Sequence, residues 1–125
     1  MLDAAAALDR LREGNRRFVA GRPSPTTADA ARRSALIVGQ EPFAIVLGCS
    51  DSRVPAEFVF DQGFGDLFVI RVAGNIVAPS QIGSVEFAAA KFRTRLVVVV
   101  GHTQCGAVTA ALDEVLGRGT SQSVN

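Results

Sequence analysis

The chain has 125 residues, 48% of them hydrophobic, enough for one domain with a buried core and too few for two. Its 13 basic and 12 acidic side chains nearly cancel, which removes any electrostatic case for binding nucleic acid or an anionic membrane surface. Two cysteines, Cys49 and Cys105, are too few for a disulfide-framed secreted scaffold; in a cytosolic chain such a pair is free, metal-bound or catalytic.

The first residues lack the basic start and long apolar stretch of a secretion signal, so a cytoplasmic protein is expected. Residues 3–20 predict an amphipathic helix. Asp3 is placed to cap it, Ala4, Leu8, Leu11 and Phe18 recur near helical spacing, and Arg16 and Arg17 complement the dipole at its end. Gly21-Arg22-Pro23 stops it, and residues 23–27 read as a turn-rich connector. A second helix is expected over 29–38.

The texture then changes. Residues 43–48, 67–72 and 96–100 are short apolar runs, the second interrupted only by Arg71. Continuous apolar runs of this length predict buried parallel strands, and the third is far too short to cross a bilayer. Helical patterns occupy 80–92 and 107–116, the latter closed by Gly117, and a polar tail, 117–125, follows. The β–α–β alternation predicts an α/β fold. We expect one domain over 1–125, with a helical arm over about 1–38 and a metal-binding core over about 39–117.

Ligands in open α/β sheets gather at the carboxyl ends of the strands. After the first run comes Cys49-Ser50-Asp51-Ser52-Arg53; after the third comes His102-Thr103-Gln104-Cys105-Gly106. Both cysteines and the one histidine therefore fall at the same edge. Each alone is an ordinary packing residue, but their joint placement is not. Cys49, His102 and Cys105 offer two sulfurs and one nitrogen, the donors zinc favours, and three protein ligands leave a fourth position open, as catalytic sites do. Asp51 can fill that position or stand beside it. Arg53, two residues on, can pair bidentately with Asp51 and draw it off the metal.

Other motifs fail on spacing. Cys49 and Arg53 are too close for a phosphatase loop, residues 101–106 lack the Lys-[Ser/Thr] of a P-loop, and Gly63-Phe64-Gly65 opens no helix. A thiol redox protein would more often carry Cys-x-x-Cys, which is absent.

Cys49-Ser50-Asp51-Ser52-Arg53 with His102-x-x-Cys105-Gly106 resembles the paired signature of β-class carbonic anhydrases, of bacterial type. Glu13-Gly14-Asn15-Arg16-Arg17-Phe18, Gly65-Asp66-Leu67-Phe68-Val69 and Arg71-Val72-Ala73-Gly74-Asn75 match in order. The resemblance implies a three-layer α/β/α fold around a mainly parallel sheet. It implies zinc-dependent reversible hydration of carbon dioxide to bicarbonate and a proton, with one Zn2+ per chain on Cys49, His102 and Cys105. Asp51 and Arg53 would control the fourth position. Gln40 matches a glutamine that hydrogen-bonds substrate from the neighbouring subunit, and Phe68 an apolar residue lining that pocket. A homodimer or higher oligomer is implied, with the N-terminal helix laid across the partner. Arg71 matches a position linked to bicarbonate inhibition in one subgroup, although Ala73 replaces the valine common there. Family members run further past Cys105, adding a strand beside 96–100, so a C-terminally truncated domain is expected. Its alternative function is a non-catalytic zinc-binding or oligomer-forming fragment.

Overall fold

Five successive residues, Ala44–Gly48, form strand β1, and all five are buried. A strand with apolar side chains on both faces must be central, and β1 is. It pairs in parallel with β2 (Leu67–Arg71) on one side and β3 (Val97–Val100) on the other, giving the order β2-β1-β3. The computed structural model describes residues 1–24, 29–120 and 122. The expected connector over 23–27 and the tail over 117–125 lie partly outside these residues.

Helix α1 (Ala4–Val19) begins where Asp3 accepts a hydrogen bond from the Ala6 amide at 2.8 Å. A short α2 (Ala30–Ala35) and a 3-10 turn (Leu36–Val38) fill the expected second helix, and neither contributes a buried residue. Helix α3 (Ala56–Val59) follows β1, α4 (Pro79–Phe92) joins β2 to β3, and α5 (Gly106–Val115) follows β3. Proline opens α4, where its missing N–H costs nothing. The single-turn α3 and a 3-10 turn at Ala73–Asn75 were not anticipated, because one turn is too short to show periodicity.

Alternation along the strands sorts the core into two faces. Ala44, Val46 and Leu67 meet Ala7 and Leu11 of α1 and Ala56 of α3. Ile45, Leu47 and Ile70 meet Ala88 of α4, with Val85 and Phe92 packed alongside. Helices on both faces of a parallel sheet make the three layers expected. Gly14 permits the close approach of α1, since a Cβ there would overlap the Phe60 carbonyl. Asn15 donates to the Val59 carbonyl at 3.0 Å, and Arg17 pairs with Asp61. On its inner face, α1 buries Ala7 and Leu11 against the chain's own sheet.

The run 96–100 was read as a strand that needs cover and that a truncated domain would leave open at its edge; Val97 and Val99 of β3 are 46% and 59% exposed. β3 is an edge strand, and among the described residues α4 covers β1 and β2 on that face but leaves β3 bare.

Candidate metal centre

Parallel pairing sets Gly48 level with Val100, so the chain leaves β1 and β3 at the same edge. Cys49 comes next after β1, His102 two residues past β3, and Cys105 caps α5. Both cysteines are buried and unbridged. Their sulfurs lie 3.8 Å apart, and the ligand atoms of Cys49, His102 and Cys105 all lie within 4.8 Å of one another. Two thiolates on a tetrahedral zinc, each at about 2.3 Å, stand about 3.8 Å apart, so the spacing fits that ion.

His102 supplies a second test. Its side chain is 9% exposed. Its Nδ1 lies 2.9 Å from the Thr103 carbonyl oxygen, an acceptor only, so Nδ1 carries the proton and donates. That leaves Nε2 with a free lone pair, and Nε2 is buried without a hydrogen-bond partner among the described residues. A buried unpaired acceptor is costly, and a metal would satisfy it.

The surroundings favour a thiolate at Cys49. In the metal-free chain His102, when protonated, and then the amides of Asp51 and Gly74 lower the Cys49 thiol to about 6. These amides reach the sulfur at 3.4 Å and 3.3 Å. Gly74, which donates to the sulfur, holds φ at +70°, a conformation suited to glycine. Cys49 in turn raises the affinity of His102 for its proton.

Asp51 is gripped by Arg53. Arg53 Nε donates to Oδ1 at 2.8 Å, Nη2 to Oδ2 at 2.6 Å, and the Arg53 amide to Oδ1 at 3.0 Å. This contact holds the Asp51 carboxyl far below the usual carboxylate range. Oδ2 stands 3.9 Å from His102 Nε2, too far to hydrogen-bond and close enough to reach the same space. Arg53 also donates to the Gln104 carbonyl at 3.2 Å, tying the two ligand loops together.

Arg71 has a role that its position in an apolar run did not disclose. It donates to the Cys49 carbonyl at 2.9 Å and the Asp51 carbonyl at 2.6 Å, pinning the loop that carries both side chains. A polar residue breaking an apolar run at the strand's carboxyl end was the available signal; the Gly74 amide had none.

A cleft of about 250 Å3 opens beside Cys49, Arg53 and His102, walled by Val46, Phe60, Val69 and Val100. Phe68 is not part of it. The pleat turns Phe68 to the other face of the sheet, where it packs with Phe87 and Phe92 at centroid distances of 6.1 and 5.9 Å. Gln40 is exposed in a shallow hollow with Leu36, Ile37 and Phe64, also away from Cys49. The fold thus brings together Cys49, Asp51, Arg53, His102 and Cys105, and places Gln40 and Phe68 elsewhere on the same chain.

Comparison with known proteins agrees with this geometry. The carbonic anhydrase family pattern matches residues 44–124. Carbonic anhydrase 2 of Mycobacterium tuberculosis is 50% identical over 107 residues, 86% of this chain and 52% of the relative. The crystal structure of a β-carbonic anhydrase from Aspergillus fumigatus matches with a TM-score of 0.65 at 32% identity, covering 96% of this chain and 53% of that one. Tetrameric β-carbonic anhydrases from Sordaria macrospora match at TM-score 0.62 and 31% identity, over 74% of this chain and 45% of theirs. The chain spans about half the length of the curated relative it matches. By sequence and fold together, the chain belongs to the β class of the carbonic anhydrase family.

Proposed function

We propose that this chain catalyses the reversible hydration of carbon dioxide to bicarbonate, with one zinc ion held by Cys49, His102 and Cys105. The observation that carries the reading is the buried, unpartnered His102 Nε2 converging on two sulfurs 3.8 Å apart. Bound zinc supplies the Lewis acidity that lets water attack at neutral pH. Arg53 holds Asp51 as a carboxylate away from the ligand cluster, so the fourth position stays open. Asp51 is then an acceptor for the hydrogen bond of an incoming water. Arg71 fixes the backbone of the Cys49–Asp51 loop, and Thr103 fixes the His102 tautomer. The mostly apolar walls of the cleft suit a small uncharged gas.

In this reading Gln40 and Phe68 serve the site of a second copy, because neither reaches the Cys49 cleft of its own chain. A homodimer or higher assembly would supply them. A reducing, cytoplasmic setting suits two free thiols. No helix among the described residues is long and apolar enough to cross a membrane. A second reading, zinc binding without turnover, fits a chain that spans 52% of the curated relative it matches.

The test is zinc per chain on size-selected protein, followed by stopped-flow carbon dioxide hydration. Near one zinc per chain, little in Cys49→Ser, and turnover lost on chelation and restored by zinc are expected. Zinc without turnover would favour the second reading, and a folded chain that takes up no zinc would overturn both.

A further inference from the structure

We propose that Cys49 and Cys105 are a reversible oxidation site, at which a hydroperoxide converts the two ligand thiols to an intrachain disulfide that excludes the metal. The sulfurs already face each other at 3.8 Å, with no side chain between them. A disulfide needs about 2.05 Å, so the sulfurs must close by less than about 2 Å, within the arc a sulfur sweeps as its χ1 turns. No other cysteine exists to compete.

Access sets the order of events. Cys49 lines the cleft and Cys105 does not. The cleft, about 250 Å3, is several times the roughly 30 Å3 that one water occupies, so a peroxide fits. The Cys49 sulfur attacks one peroxide oxygen and the O–O bond breaks. Cys49 becomes a sulfenic acid, and the departing hydroxide leaves as water with the thiol proton or, where the sulfur is already a thiolate, with one from solvent. The Cys105 sulfur then attacks the Cys49 sulfur, the S–S bond forms, the S–O bond breaks, and a second water leaves with the Cys105 proton. Two thiols and one peroxide give one disulfide and two waters, with two electrons passing from sulfur to oxygen. His102 keeps its bond to Thr103 throughout, so the histidine arm of the site survives oxidation. Reduction by a dithiol reverses the change.

The disulfide rests on the sulfur geometry alone; metal release rests in addition on the zinc reading. The experiment treats the purified 125-residue chain with hydrogen peroxide, quenches by alkylation, and follows intact mass, free thiols and zinc released to a chromogenic chelator. Expected is a monomer lighter by about 2 Da, both thiols lost together, and zinc released in proportion to thiol loss. Dithiothreitol should restore both thiols and the uptake of added zinc. Cys105→Ser should instead stop at an adduct of about 16 Da or higher oxides. Stepwise oxides on the parent chain without the 2 Da loss, a disulfide between chains, or persistence of both thiols would overturn the proposal. A chain that forms the disulfide but binds no zinc when reduced would overturn the zinc reading and leave the oxidation site standing.

Discussion

Leu11 is the side chain that decides whether α1 belongs to its own core. It is 1% exposed and packs in the cluster with Phe43, Val46, Ala56 and Leu67. Leu11→Ala removes three carbons from that cluster and leaves a void that surrounding side chains fill only in part. Buried Leu→Ala changes cost about 2.7–5 kcal/mol. The lower end, about 3 kcal/mol, applies here, because α1 is an outer helix that can settle toward the gap. Urea unfolding measures it, with Val19→Ala as control; Val19 is 76% exposed and should change stability by less than about 0.5 kcal/mol. The cost should not vary with protein concentration, since Leu11 contacts its own chain. A loss under about 1 kcal/mol, or one that grows on dilution, would show that α1 packs against a second copy instead.

Arg53→Ala frees Asp51 to approach the ligand cluster; zinc content should stay near that of the parent while hydration falls about 10–100-fold, and unchanged turnover would remove Arg53 from the site. In metal-free protein, ultraviolet thiolate absorbance should show the Cys49 thiolate above about pH 6 and the thiol below it, and His102→Ala should move that titration upward. Arg17, then the Ser24 amide, holds the Asp61 carboxyl below its ordinary range, so the carboxylate stabilises the fold above the unfolded value of about 4 and that contribution is lost as pH falls through and below it. Asp61→Asn should therefore cost about 1 kcal/mol at neutral pH, allowing for solvent around the 37% exposed Arg17, and flatten the acid limb of the stability profile.

The parts of the site legible in the sequence were those set by local chemistry. Scarce soft ligands directly after apolar runs mark strand ends, and the Asp51–Arg53 spacing announces a bidentate pair. The Gly74 amide that holds Cys49 lies 25 residues away in sequence, and Arg71 lies 22 away. The Gly74 contact has no local signature, because a backbone N–H looks the same wherever it points, whereas Arg71 shows only as a charged residue breaking an apolar run.

Hydrophobic periodicity by itself determined that three short strands, two long helices and a capped N-terminal helix would form, because apolar spacing and capping chemistry act within a few residues. Only the tertiary structure decided which faces those elements cover. It turned Phe68 away from the Cys49 cleft, laid α1 on its own sheet through Gly14, and left Val97 and Val99 bare. An apolar run states that a strand prefers to be buried; whether a neighbour arrives to bury it depends on strand order and helix placement, which are settled by packing between residues far apart in the chain.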